Sequence, residues 1–164
     1  MKKAVFQGSF DPFTLGHLDI LSRAASMFAE VHVLVANNPD KRCLFTASER
    51  EEMIALSAAD AGLKNVQTAS FGGLTVEYAR SIGAGYLVRG LRSPSDYEYE
   101  ARIESFNKRL APEIETVYIS CAAEYSYLSS SAVKELLKYG ADVGALVPAR
   151  IYKFISERYK GNEQ

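Results

Sequence analysis

Short apolar runs alternate with longer stretches in which apolar residues recur at helical spacing, from one end of the chain to the other. The first run, Ala4-Val5-Phe6, stops at Gly8. Behind it Leu18, Leu21, Ala25 and Phe28 mark one face of a helix expected from about Leu15 to Phe28. Val31 to Val35 is almost continuously apolar, as a strand covered on both faces should be. Ser48 is expected to cap a helix running through Ala59, and Val66 to Ala69 to form a third strand. Thr75 to Ile82 reads as a short helix and Tyr86-Leu87-Val88 as the fourth strand. Ser95 and Glu98 have capping-box spacing for a helix reaching about Leu110. Thr116 to Ile119 gives a fifth strand, and helices over Ser131–Lys138 and Ala149–Arg158 follow.

Strands that alternate with helices predict an α/β fold, a doubly wound five-stranded parallel sheet of Rossmann-like type. Neither an internal repeat nor a linker rich in Pro, Gly or Ser divides the chain, so residues 1–164 are expected to form one domain. At 48% hydrophobic and 24% charged residues the composition excludes a disordered chain. No apolar run approaches the length of a membrane span, and Met1 to Gly8 is too short an apolar stretch for a signal peptide. A cytoplasmic protein with no membrane partner is the expectation. The net charge of −1 provides no broad field to attract nucleic acid, so any phosphate must be met by a local group of cations. Cys43 and Cys121 lack metal-ligand spacing; they read better as small buried residues than as a disulfide.

In a doubly wound sheet, ligands bind beyond the carboxyl ends of the strands, and the chemistry of this chain collects there. After the first strand comes Gly8-Ser9-Phe10-Asp11-Pro12-Phe13-Thr14-Leu15-Gly16-His17. Gly8 permits a sharp turn and close approach of a ligand. Thr14 is a good N-cap, which puts His17 in the first helical turn near free backbone amides. An imidazole there can donate to a developing phosphate oxyanion, a reading that outweighs simple packing beside the cap. After the second strand, Lys41 and Arg42 lie in a turn that could be only solvated surface. Lys41 gains weight from sharing a sheet edge with His17. After the fourth strand, Arg89-Gly90-Leu91-Arg92 offers two guanidinium groups suited to gripping separate phosphates, in preference to serving as salt-bridge partners. Glu100 on the next helix reads, on its chemistry alone, as an exposed charge. After the fifth strand, Ser129, Ser130 and Ser131 open a helix as an anion seat, with one of them serving as a structural cap.

Taken together, Gly8-Ser9-Phe10-Asp11-Pro12, Arg89-Gly90-Leu91-Arg92, Asp96-Tyr97-Glu98-Tyr99-Glu100 and Ser129-Ser130-Ser131 resemble the phosphopantetheine adenylyltransferases of bacterial coenzyme A synthesis. The resemblance runs over almost the whole chain. Thr14 stands where the wider nucleotidyltransferase superfamily has the first His of His-x-Gly-His, as it does in this branch. The resemblance implies a transferase that moves the adenylyl group of ATP to 4′-phosphopantetheine, giving dephospho-coenzyme A and pyrophosphate. It implies that His17, Lys41 and Arg92 carry the catalysis. ATP would be held by Ser9, Phe10, His17, Gly90, Leu91, Arg92, Glu100 and the stretch Tyr125, Ser126, Tyr127, Leu128, Ser129, Ser130 and Ser131. Ser9, Lys41, Thr75 and Arg89 would hold 4′-phosphopantetheine. Mg2+ accompanying ATP and assembly as a homohexamer are further implications, and no protein residue is assigned as a metal ligand. Gln7 stands where proline is usual, a change expected to act only on loop stiffness, and Thr75 where an apolar residue is usual. The rival readings are a nucleotidyltransferase acting on nicotinamide mononucleotide or glycerol phosphate, and a module that binds ATP without turnover.

Overall fold

Burial along the strands alternates between two separate hydrophobic clusters, which is what a sheet covered on both faces requires. Ala4, Phe6, Val31, Val33, Val35 and Val88 belong to one cluster, and Val5, Leu34 and Leu87 to the other. The computed structural model describes residues 2–36 and 42–161, without the side chains of residues 160 and 161. The five strands are β1 (Lys3–Gly8), β2 (Glu30–Ala36), β3 (Val66–Phe71), β4 (Tyr86–Leu91) and β5 (Glu115–Ser120). The helices are α1 (Leu15–Met27), α2 (Ala47–Asp60), α3 (Thr75–Ser81), α4 (Pro94–Leu110), α5 (Ser130–Lys138) and α6 (Ala149–Gly161), with a 3-10 turn at Ala123–Tyr125. Lys41 lies outside the described residues.

All strand pairs are parallel, in the order β3-β2-β1-β4-β5. Ala4 of β1 lies opposite Val31 of β2 on one side and Tyr86 of β4 on the other. The winding therefore reverses between β1 and β4. The diverging loops at their carboxyl ends leave a crevice, the usual ligand position in this architecture. Residues of α1, α2, α5 and α6 fill the larger core cluster, while α3 covers the smaller one. On the described residues no helix is long and apolar enough to cross a membrane.

Two helix starts differ from the sequence expectation. The cap of α2 is Thr46, not Ser48: its hydroxyl accepts from the Glu49 amide at 3.2 Å, while the Glu49 carboxylate accepts from the Thr46 amide at 2.8 Å. The cap of α4 is Ser93, accepting from the Asp96 amide at 3.3 Å, and the Ser95–Glu98 box is absent. Pro94 takes the first helical position, where its missing N–H would have had no partner. Cys43 and Cys121 are unpaired and half-buried rather than fully buried.

Reciprocal capping at Thr46 separates the two α2 candidates by experiment. Thr46→Ala should destabilise the fold by about 1 kcal/mol, and Ser48→Ala by much less. Urea unfolding of both variants checks the assignment, and equal effects would move the cap.

Candidate active site

A cleft of about 270 Å³ opens at the crevice between β1 and β4. Its walls are Phe6 to Phe10, Thr14, Gly16, His17 and Ile20 on one side. Arg89, Gly90, Arg92, Glu100, Cys121 and Leu128 to Ser131 complete it. Among the site residues expected from the sequence, Ser9, Phe10, His17, Arg89, Gly90, Arg92, Glu100, Leu128, Ser129, Ser130 and Ser131 are thus brought together. Leu91, Tyr125, Ser126 and Tyr127 do not line this cleft, and Tyr127 is largely exposed. Thr75 lines a second cleft of about 320 Å³, which shares Gln7 and Arg89 with the first.

Local structure fixes the His17 ring. Thr14 caps α1 and accepts from the His17 amide at 3.3 Å. The Thr14 backbone N–H donates in turn to His17 Nδ1 at 3.1 Å. A nitrogen that accepts from an amide carries no proton, so in the neutral ring the proton is on Nε2. Phe10 meets the imidazole edge-on at a centroid distance of 5.1 Å, and Phe13 stacks on it at 5.6 Å. Phe10 itself is 2% exposed with a φ of 49°, and its ring lies over Gly8, where a Cβ would come within 2.8 Å of it. Glycine is therefore required at position 8 by the ring above it. Burial first, and the Arg92 guanidinium second, lower the His17 pKa to about 4. The ring is a neutral Nε2–H donor at pH 7.

The two arginines are not vacant phosphate grips. Arg89 donates from Nε and Nη2 to the two Glu100 carboxylate oxygens, both at 2.6 Å. Its Nη1 donates to the Gln7 carbonyl at 3.1 Å and to Gln7 Oε1 at 2.8 Å. Glu100, expected as an exposed charge, has a side chain only 13% exposed and is the counterion of Arg89. Gln7 does more than change loop stiffness, because its amide oxygen is part of this arrangement. Arg92 pairs with Asp96 through Nε at 3.1 Å and reaches the Leu128 carbonyl through Nη1 at 3.3 Å. The serines divide their work. The Ser129 hydroxyl caps α5 by accepting from the Ala132 amide at 3.0 Å, and the Ser130 hydroxyl donates to the Pro12 carbonyl at 2.8 Å. Ser131 is exposed at the cleft wall.

Two further residues hold the site and had no role assigned to them from the sequence. Asp11, 1% exposed, accepts from the amides of Leu44 and Phe45 at 3.0 and 2.9 Å and from Lys134 at 2.8 Å. Arg50, 2% exposed, donates to the carbonyls of Ser9, Ala36, Phe45 and Thr46. An available signal was helical spacing: Arg50 shares a face with the apolar Met53, Ile54 and Ala58. Among the described residues no three His, Cys, Asp or Glu side chains gather as a metal site.

This sheet, with its crevice at the winding reversal, is that of a nucleotidyltransferase, and a family model described as cytidylyltransferase-like matches residues 5–136. A phosphopantetheine adenylyltransferase of Thermosynechococcus vestitus is 53% identical over 150 residues, covering 92% of this chain and 88% of that protein. Another, of Staphylococcus carnosus, is 44% identical over 157 residues and 96% of each chain. The crystal structure of a Vibrio parahaemolyticus protein described as a nicotinate-nucleotide adenylyltransferase has a TM-score of 0.74 at 20% identity. That match covers 97% of this chain and 95% of the other, and carries the fold alone. The chain belongs to the phosphopantetheine adenylyltransferase family and is a nucleotidyltransferase enzyme.

The lowered His17 pKa has a direct test. Because the unfolded chain takes up this proton near 6.5 and the folded one only near 4, stability should fall as pH drops through that window and level off below it. NMR titration of the ligand-free protein should find the ring neutral at pH 6. A His17 midpoint near 6.5 would remove the fixed-donor assignment.

Proposed function

We propose that this chain transfers the adenylyl group of ATP to 4′-phosphopantetheine, forming dephospho-coenzyme A and releasing pyrophosphate. The observation that carries the reading is the pair of clefts meeting at Gln7 and Arg89, with the His17 donor in one of them. In this reading ATP occupies the first cleft. The acceptor occupies the second, where Leu74, Tyr99 and Ile103 offer apolar walls to an extended arm and Thr75 and Asn107 offer polar groups. Its phosphate meets the α-phosphate of ATP where the clefts join.

An acceptor phosphate oxygen attacks the α-phosphorus in line, the new P–O bond forming as the bond to the β-phosphate oxygen breaks. The nucleophile is already an anion at neutral pH, so no strong base is required. Catalysis is then positioning together with stabilisation of developing charge. His17 Nε2–H donates to a non-bridging oxygen of the α-phosphate without having to ionise, since its pKa lies well below neutrality. Arg92 and Lys41 face the triphosphate, and Arg89, Lys41, Ser9 and Thr75 the acceptor. Phe10 with Gly90, Leu91 and the stretch from Tyr125 to Ser131 completes the nucleotide seat.

Glu100 is the one carboxylate lining the first cleft among the described residues, and it is committed to Arg89. The donor set therefore offers no resident metal seat. Mg2+ belongs to this reading as part of the ATP substrate, on its phosphate oxygens. A single domain in the cytoplasm and a homohexameric assembly are part of the same proposal. Supporting the last is α4, which buries no residue within the chain and exposes Tyr97, Tyr99, Phe106 and Leu110.

Pyrophosphate release from ATP that depends on added 4′-phosphopantetheine is the expected activity, and its absence from the folded protein would overturn the reading. His17→Ala should lower turnover by roughly 10²–10³-fold while changing ATP affinity far less, because the contact strengthens in the transition state. Near-normal turnover in that variant would remove His17 from the chemistry.

The serines offer a separate check. Ser129→Ala should lower stability by about 1 kcal/mol through loss of the cap. Ser131→Ala should melt like the parent yet bind ATP more weakly. Calorimetry on both variants decides, and unchanged ATP affinity in Ser131→Ala would limit this helix start to a structural role.

A further inference from the structure

Gln7 is the one uncharged side chain that lines both clefts, and its orientation follows from its partner. An amide oxygen and nitrogen are often interchangeable in a structure, but a guanidinium has donors only. The Gln7 oxygen must therefore face Arg89, where Oε1 accepts from Nη1 at 2.8 Å. With the oxygen so fixed, the Nε2 group and its two N–H donors turn away from Arg89. Among the described residues no hydrogen-bond partner occupies Nε2, and no buried side-chain nitrogen or oxygen is left without a partner. The group is consequently open to the space that Gln7 lines. Strand alternation says which side: Gln7 is two residues beyond Val5, which also lines the second cleft. Arg89 meanwhile has its Nε, Nη1 and Nη2 engaged by Glu100 and Gln7, so little of its donor capacity remains for an incoming anion.

We propose that the Gln7 Nε2 group, held in place by Arg89, is a specificity-determining donor to the phosphate of the acceptor substrate. This rests on the reading that the second cleft takes a phosphorylated acceptor and the first takes ATP. Gln7 supplies at the junction a neutral donor that Arg89, already paired with Glu100, supplies only in part. A neutral amide can bind the acceptor's dianion without adding a charge that would have to be separated from the phosphate once it becomes bridging.

Two substitutions of similar length separate donation from mere support of Arg89. Gln7→Met removes both the acceptor toward Arg89 and the donor toward the cleft. Gln7→Glu keeps an oxygen for Arg89 but replaces the donor with a second acceptor. Calorimetric titration with 4′-phosphopantetheine and, separately, with ATP should show acceptor affinity weakened about tenfold or more in Gln7→Met. Gln7→Glu should be weaker still toward the acceptor, and ATP affinity in Gln7→Met should stay within about threefold. Melting temperatures establish that both variants are folded. If Gln7 served only to hold Arg89, the Glu variant would bind the acceptor better than the Met variant, and the proposal would fall. Unchanged acceptor affinity in Gln7→Met, or equal loss toward both ligands, would also overturn it. The parent protein's own titrations keep the two readings apart: should it bind no 4′-phosphopantetheine, the reading of the cleft fails, whatever the variants do.

Discussion

A buried guanidinium is an unusual load for a protein of this size, and among the described residues Arg50 bears it through four backbone carbonyls. Those carbonyls belong to the loop after β1, the end of β2 and the start of α2. Asp11 completes the arrangement with the opposite charge, taking amides from the segment before α2 and an ammonium from α5. Hydrogen bonds to charged groups contribute about 1.5–3 kcal/mol each, so these two side chains dominate the loop's energetics. These bonds tie the β1 loop to α2 and α5. Held at Ser9 and Asp11, the chain places the Phe10 ring over Gly8, the ring wedges the imidazole, and the imidazole presents one defined N–H.

The cations of the cleft obey a similar economy. In a chain of net charge −1, unpartnered arginines at one strand edge would repel each other and bind indiscriminately. Here Glu100 and Asp96 hold them apart and in place. In the proposed function, a triphosphate entering the cleft would compete with carboxylates already seated on Arg89 and Arg92.

The layered fold was legible because it rests on long-range periodicity: five apolar runs with helical stretches between them leave few alternatives. The strand-end chemistry was legible for the same reason, since topology alone sends Gly8, Arg89 and the serines to one edge. Helix starts were less so. Serines at 48 and 95 have good cap chemistry, but Thr46 and Ser93, each two residues earlier, satisfy the terminal amides better in three dimensions. Gln7, Glu100 and Arg50 were misread or passed over because their roles depend on partners 82, 11 and up to 41 residues away. Helical spacing marks Arg50 as inward-facing, but no local pattern names the distant partners of these three residues. Lys41 remains a reading from sequence, outside the described residues.

One economy at the start of α1 constrains any attempt to improve this protein. The third helical position, opposite a threonine cap, is where glutamate or glutamine ordinarily closes the reciprocal bond. This chain puts His17 there, and the same Nδ1 lone pair that closes the helix end also dictates which nitrogen holds the proton. Ranking substitutions by thermal robustness alone would favour glutamate at this site, trading a neutral donor for a carboxylate in the cleft. Helix closure and proton placement are one variable, and selection for either necessarily moves the other.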